Sequence, residues 1–205
     1  MPILEWSELQ LCYGAEIALY RERFATAGDT THALLCCRFT PSNSRIRSSG
    51  GQHAERKLLM SSLWTKEIPT AFANWLPADK SASPIVVTLV INRSPCRDCT
   101  GWLVKALTDL QWRFAARVPQ GQFLLACRGA YEGKPTEAGY YEHATTIGDL
   151  KLLQDAGWRI CVLQVGDELS PSGKQLLQAL QRLRNNARPS VRLSGTFTDK
   201  ALRGR

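Results

Sequence analysis

The sequence predicts an α/β fold, with a mixed central sheet of about five strands between two helical layers, in α-β-α order. Three observations predict it. Residues 85–91 form a β-branched run, which is typical of a strand buried at the centre of a sheet. Apolar residues recur three and four apart in several other segments, which indicates amphipathic helices. About 30 residues separate the apolar runs at 122–127 and 158–165, enough for a helical crossover between two parallel strands, the last two of the sheet.

The N-terminal part is predicted to begin with a helix and to continue into two strands. Residues 1–30 are expected to form a helix that packs on an apolar surface through a stripe formed by Trp6, Leu9, Tyr13, Ile17, Tyr20 and Phe24. A continuous apolar run predicts a strand over 32–39. The polar stretch at 41–51 is expected to hold a short second strand and a loop.

The remaining elements follow from the same patterns. A helix is predicted to open at His53, and 66–83 is predicted to be an irregular connection. After the central strand, a second helix begins at Pro95, since proline suits the first turn of a helix. Further helices are predicted over 147–154 and around 176–183. Residues 1–190 are expected to form one domain, with its core at 31–190, followed by a basic tail at 191–205.

Two short motifs contain the residue types that bind zinc. The first holds His53 and Glu55, and the second is a Ser-Pro-Cys-x-x-Cys turn at 94–99 with Cys96 and Cys99. One imidazole and two thiolates give Zn²⁺ three ligands and leave a fourth position for water, which is the composition of a catalytic zinc site. Glu55 adds a carboxylate that need not bind the metal. Helical spacing places both thiols on one face at the start of the second helix.

Three other interpretations of these motifs are open. Cys96 and Cys99 could be small buried hydrophobes beside a core histidine. A closed structural zinc site would need a fourth ligand, for which Cys36, Cys37 and Cys127 are candidates. A Cys-x-x-Cys could also be a redox pair, although that chemistry does not require the His-x-Glu motif.

The two motifs together resemble the signature of the zinc-dependent nucleobase deaminases, His-x-Glu followed by Pro-Cys-x-x-Cys. The Ser-Pro-Cys turn and the segment 152–165, a leucine-rich helix followed by Ala-Gly and an apolar strand, resemble the AID/APOBEC branch. The similarity covers roughly residues 31–188. It implies a cytidine deaminase-like fold with catalytic residues in the 31–190 core and Zn²⁺ held by His53, Cys96 and Cys99. It also implies that a zinc-bound hydroxide attacks C4 of cytosine and forms uracil, with Glu55 as proton shuttle.

The resemblance also implies substrate-binding residues around the pocket. The loop before His53 borders the pocket in this family, which makes Asn43 and Arg45 candidates, and Ser94 lies in the zinc turn itself. The segment after the fourth strand contacts the neighbouring nucleotide in AID/APOBEC proteins, and its matching residues here are Arg128 and Tyr131, with Tyr140 and Tyr141 in an insertion. The family usually has Trp before Ser-Pro-Cys, whereas this chain has Arg93, which changes the shape and the hydrogen-bond donors of the pocket.

Charge and composition indicate the class of partner. The chain has 205 residues and a net charge of +8, and the segment 174–205 carries eight basic residues and one acidic residue. A basic segment beside a base-modifying site favours a phosphate backbone as partner, although a solvated helix face and tail would look the same. The odd count of seven cysteines argues against a disulfide framework. No membrane-spanning run or signal-peptide start is present, so we expect action in the cytoplasm.

The predicted activity is therefore zinc-dependent deamination of cytosine in single-stranded DNA. The alternatives are deamination of RNA, including adenosine in tRNA, deamination of a free nucleoside or nucleotide, and a non-catalytic zinc-containing module that binds nucleic acid. The small size is typical of bacterial toxin-type relatives, which would imply an immunity protein as a further partner. The oligomeric state is not indicated by the sequence.

Overall fold

A computed structural model describes residues 3–26, 30–40, 42–75, 84–115, 121–135 and 141–186. The strands are β1 Ile3–Glu5, β2 His32–Thr40, β3 Asn43–Gly50, β4 Val86–Ile91, β5 Gln122–Cys127, β6 Lys134–Pro135, β7 Tyr141–Glu142 and β8 Arg159–Gln164. The α-helices are α1 Trp6–Tyr13, α2 Arg21–Ala25, α3 Ala54–Leu59, α4 Ile68–Asn74, α5 Arg97–Arg113, α6 Ile147–Asp155 and α7 Pro171–Asn186. The basic tail predicted at 191–205, together with Tyr140, lies outside the described residues.

The sheet is mixed, and its topology confirms the predicted α/β class. Six strands lie in the order β1-β8-β5-β4-β2-β3. β2 runs antiparallel to both β3 and β4, whereas β4, β5, β8 and β1 run parallel to one another. The predicted parallel pairing of β5 with β8 is confirmed. The sixth strand is β1, whose three residues are too few for a periodicity signal, so the predicted count of five was one short.

Two hydrophobic clusters cover opposite faces of the sheet. Alternate residues of a strand point to opposite faces, and neighbouring β2 residues divide accordingly: Leu35 joins the larger cluster and Leu34 the smaller. The larger cluster contains residues of α3 to α7, and the smaller contains Trp6, Ile17 and Phe24 from the N-terminal segment. This arrangement gives the three predicted layers. β4 is buried along its whole length, as expected of a central strand.

The N-terminal segment is not the single helix that its apolar stripe predicts. α1 ends at Gly14, whose φ of 85° lies in the left-handed region that glycine tolerates. A 3₁₀ segment, Ala15–Tyr20, and the short α2 follow. The stripe nevertheless packs as predicted, because Ile17 and Phe24 are fully buried.

The segment after the His53 motif is more regular than predicted. A turn of π-helix, Leu63–Glu67, leads directly into α4, so the irregular connection predicted at 66–83 is wrong for 66–74. Residues 76–83 lie outside the described part of the chain. A proline such as Pro69 is often a sign of irregular structure. Here it lies in the first turn of α4, where it removes no hydrogen bond and does not break the helix. Among the described residues, no helix has the length and apolar character needed to cross a membrane.

Two glycines predict opposite effects of an added methyl group. Gly101 lies on the exposed side of α5, and a Cβ there would meet nothing within 4 Å. Gly101→Ala should therefore stabilise the protein by about 0.5–1 kcal/mol through helix propensity. At Gly129, a Cβ would lie 2.8 Å from the Cβ of Ser172 and 3.2 Å from its carbonyl carbon. Gly129→Ala should destabilise by about 1–3 kcal/mol.

Urea unfolding of both variants measures these effects on the same scale. A Gly129→Ala protein as stable as the wild type would contradict the close approach of α7 to the segment that follows β5.

Candidate metal centre and active site

Two strand-to-helix connections, β3 to α3 and β4 to α5, place a histidine and two cysteines together at one edge of the sheet. β3 leads to His53, which precedes α3, and the buried β4 leads to Cys96, which precedes α5. Cys99 lies in the first turn of α5 and is buried. Nδ1 of His53 lies 3.0 Å from Sγ of Cys99 and 3.7 Å from Sγ of Cys96. The sequence expected His53 inside the helix, whereas α3 begins one residue later.

The three ligand atoms fit a tetrahedral metal ion. They lie within 4.8 Å of one another, close enough to bind one metal. With Zn–N about 2.0–2.1 Å and Zn–S about 2.3 Å, tetrahedral angles separate nitrogen from sulfur by roughly 3.6 Å. The distances from His53 to the two sulfurs in the structure, 3.0 and 3.7 Å, bracket this value. No further His, Cys, Asp or Glu of the described residues belongs to the group. The donor set therefore has the three-ligand composition of an open site.

The candidates for a fourth thiolate lie outside the group of ligand atoms. Cys36, Cys37 and Cys127 are fully buried in β2 and β5. Burial raises the pKa of each of these thiols well above its ordinary value. None of these three thiols belongs to the group of ligand atoms that His53, Cys96 and Cys99 form. This observation weighs against the closed structural site.

Cys96 and Cys99 share a proton in the metal-free protein. The hydrogen bond from the Cys99 thiol lowers the pKa of Cys96 to about 6. The same bond, followed by burial, raises the pKa of Cys99. Near neutral pH the pair is therefore one thiolate and one thiol, and a metal ion that binds both sulfurs must displace the Cys99 proton.

Metal affinity should consequently fall as the pH falls. Displacing the Cys99 proton costs a factor of about ten per pH unit, and below about pH 6 the Cys96 proton must be displaced as well. Between about pH 7.5 and about pH 5.5 we expect zinc affinity to fall at least about 100-fold. Competition with a chromophoric chelator, whose own pH dependence is determined without protein, measures this change. Equal affinity at the two pH values would contradict coordination by both thiols.

Glu55 lies beside the ligands without belonging to their group. Its side chain is only 4% exposed, and Oε2 is buried with no hydrogen-bond partner in the protein. A buried carboxylate oxygen without a partner costs free energy, and such costs persist mainly at functional sites. This unpartnered oxygen, together with the three-ligand donor set, fits a metal ion with a bound water.

A cleft of about 730 Å³ opens onto the ligands and Glu55. Its volume is in the range of small-molecule sites. Arg93 and Tyr131, both predicted to bind substrate, line it together with Ser94. Burial raises the pKa of Tyr131 above its ordinary value, so its hydroxyl remains a neutral hydrogen-bonding group.

Ser94 serves the protein's own structure rather than facing the cleft as a free hydroxyl. It is buried, and its Oγ accepts a hydrogen bond of 2.8 Å from the Tyr131 amide. A second hydrogen bond, 2.7 Å long, joins its hydroxyl to that of Thr145.

The structure places the other predicted substrate contacts away from the cleft. Asn43 and Arg45 lie at the far end of β3, roughly 23 and 16 Å from Gly50 at about 3.3 Å per residue. Arg45 pairs instead with Glu67, at 3.9 Å. Arg128 lines a separate depression of about 400 Å³, and its guanidinium donates to the Thr26 carbonyl.

Two residues that line the cleft were not among the predicted site residues. His143 and Asp98 line the cleft and lie 3.7 Å apart, Nδ1 to Oδ2. Among the described residues, His53 and His143 are the non-glycine residues with positive φ, at 51° and 60°. Such conformations cost about 1–3 kcal/mol and cluster at functional sites. In the sequence, the only indication of a role for His143 is its position shortly after the segment predicted to contact the substrate.

Asn92 is a buried residue that fixes one of the segments lining the cleft. Its Oδ1 accepts from the His32 amide at 2.9 Å, and its Nδ2 donates to the Thr30 carbonyl at 2.9 Å. Both Thr30 and Thr31 line the cleft.

No protein-family model matches the chain, and no curated protein matches its sequence. The function must therefore be argued from the site itself.

Proposed function

We propose that this protein is a zinc-dependent deaminase that converts cytosine to uracil in single-stranded DNA. The observation that carries the proposal is the buried Glu55 carboxylate, with one oxygen unpartnered, in a cleft that His53 and Cys96 of the three-ligand group also line. A structural zinc site needs neither the open position nor the buried carboxylate. The resemblance of the two motifs to the nucleobase deaminases supplies the reaction class.

In the proposed reaction, three residues would bind the metal and Glu55 would transfer protons. His53, Cys96 and Cys99 would hold Zn²⁺, which lowers the pKa of a bound water to about 7 when present. Glu55 would accept a proton from the attacking water, deliver it to the ring nitrogen of cytosine and then assist the departure of ammonia. The net reaction places the water oxygen on C4, breaks the C4–N bond and releases ammonia.

The cleft supports a polynucleotide as substrate. It is open, and Arg93 and Tyr131 on its lining offer a cation and an aromatic ring. A guanidinium can bind phosphate, and an aromatic ring can stack a base at about 1–3 kcal/mol. Three basic residues of α7, Lys174, Arg182 and Arg184, are exposed on the surface, which adds to the attraction of a phosphate backbone.

Deep sequencing of matched nucleic-acid pools tests the proposal. Zinc-loaded protein is incubated with single-stranded DNA, duplex DNA and RNA of the same sequences, alongside a Glu55→Ala control. We expect C-to-T changes in single-stranded DNA that are absent from the control. Changes confined to RNA would transfer the activity to that substrate, since the 2′-hydroxyl distinguishes the two. No change in any pool, with zinc bound stoichiometrically, would overturn the proposal.

A further inference from the structure

Thr145 makes hydrogen bonds that join three segments of the cleft. Its hydroxyl donates to the Pro95 carbonyl at 2.7 Å and lies 2.7 Å from the Ser94 hydroxyl. Its amide donates to the Tyr131 carbonyl at 3.0 Å. One residue therefore connects the metal-binding turn, the segment after β5 and the segment before α6.

The hydroxyl protons in this network have a single consistent arrangement. Because the Thr145 hydroxyl gives its proton to Pro95, it must accept from Ser94. Ser94 in turn accepts from the Tyr131 amide. The bonds form a closed ring through Ser94, Tyr131 and Thr145, and such networks are rigid when every member is satisfied. The Ser94 amide adds a further bond of 2.7 Å to the Gly129 carbonyl.

The ring fixes residues that face the substrate. Tyr131 belongs to it, and His143 lies two residues before Thr145; both line the cleft. Pro95, whose carbonyl accepts the Thr145 hydroxyl proton, immediately precedes the ligand Cys96. The relative placement of the cleft wall and the metal ligands therefore depends on the Thr145 hydroxyl.

We infer that Thr145 is a positioning residue that holds the wall carrying Tyr131 and His143 against the metal-binding turn. This inference rests on the proposed function for its kinetic consequence. The hydrogen bonds of Thr145 go to Ser94, Pro95 and Tyr131 and not to a metal-ligand donor atom or Glu55, so its effect should fall on substrate binding. Valine at 145 keeps the shape of the side chain and removes the hydroxyl, whereas serine keeps the hydroxyl.

Hydrogen exchange tests the placement without any reference to activity. In Thr145→Val, the Ser94 hydroxyl loses its acceptor, so the amide of Tyr131 should exchange at least about tenfold faster than in the wild type. Thr145→Ser should restore slow exchange. Thr108→Val, an exposed change on α5, should leave this amide unaffected. Unchanged exchange at Tyr131 in Thr145→Val would overturn the inference, whatever the protein's activity.

Steady-state kinetics on a single-stranded oligonucleotide test the consequence. We expect KM to rise about tenfold in Thr145→Val, with kcat within about threefold of wild type and zinc content unchanged. Thr145→Ser should recover KM. Equal losses in kcat and zinc content, or no recovery with serine, would overturn the positioning role. A wild-type protein that deaminates nothing would instead refute the proposed function, and the exchange experiment would then decide the role of Thr145 alone.

Discussion

Glu55→Gln is expected to abolish deamination while zinc remains bound. The substitution keeps the size of the side chain and removes its capacity to take and deliver a proton. General acid–base catalysis contributes about 10²- to 10⁴-fold to rate, so kcat should fall by at least about 10²-fold. Because Glu55 is outside the group of metal ligands, the zinc content should match that of the wild type.

The measurement combines single-turnover kinetics with metal analysis of the same preparation. Glu168→Gln is the matched control, since it removes the same charge from a side chain that is 83% exposed, and it should retain full activity. Loss of zinc in Glu55→Gln would show that this carboxylate supports the metal site rather than the proton transfer. Retained activity would remove Glu55 from the mechanism.

Cys99→Ser is expected to lose both zinc and activity. Substitutions in the outer shell of metal sites cost about 10- to 100-fold in affinity, and loss of a thiolate ligand should cost more. At a free zinc concentration of about 1,000 times the dissociation constant, zinc binding should stabilise the wild-type fold by about 4.1 kcal/mol. Added zinc should therefore raise the Tm of the wild type and leave that of Cys99→Ser nearly unchanged.

Cys12→Ser controls for the loss of a thiol as such. Cys12 is half-buried and lies outside the ligand group, so this variant should bind zinc and respond to it as the wild type does. Stoichiometric zinc in Cys99→Ser, measured by elemental mass spectrometry after dialysis, would contradict the assignment of the ligands.

The sequence predicted the elements whose information is local. The β-branched run predicted the central position of β4, and the spacing of Cys96 and Cys99 predicted that both thiols lie together at the start of a helix. The two motifs meet in space because β3 and β4, the strands that lead to them, end at the same edge of the sheet. This convergence follows from strand directions, which the crossover lengths constrain.

Other features depend on contacts that chain order does not encode. β1 is a strand only because β8 offers a free edge for it to pair with. Arg128 follows β5 as predicted, but its guanidinium donates to the Thr26 carbonyl and does not line the cleft. His143 reaches the cleft through a left-handed backbone conformation, which a non-glycine residue adopts only when its surroundings impose it. The ring around Thr145 likewise joins three distant segments.

Ammonia release from single-stranded DNA, measured on protein whose zinc content is determined in the same sample, tests the central claim most directly. We predict ammonia in proportion to the zinc-loaded protein, with one uracil formed for each ammonia and none in Glu55→Gln. Stoichiometric zinc without ammonia from DNA, RNA or free nucleosides would contradict the account and leave a zinc-containing module that binds nucleic acid without changing it.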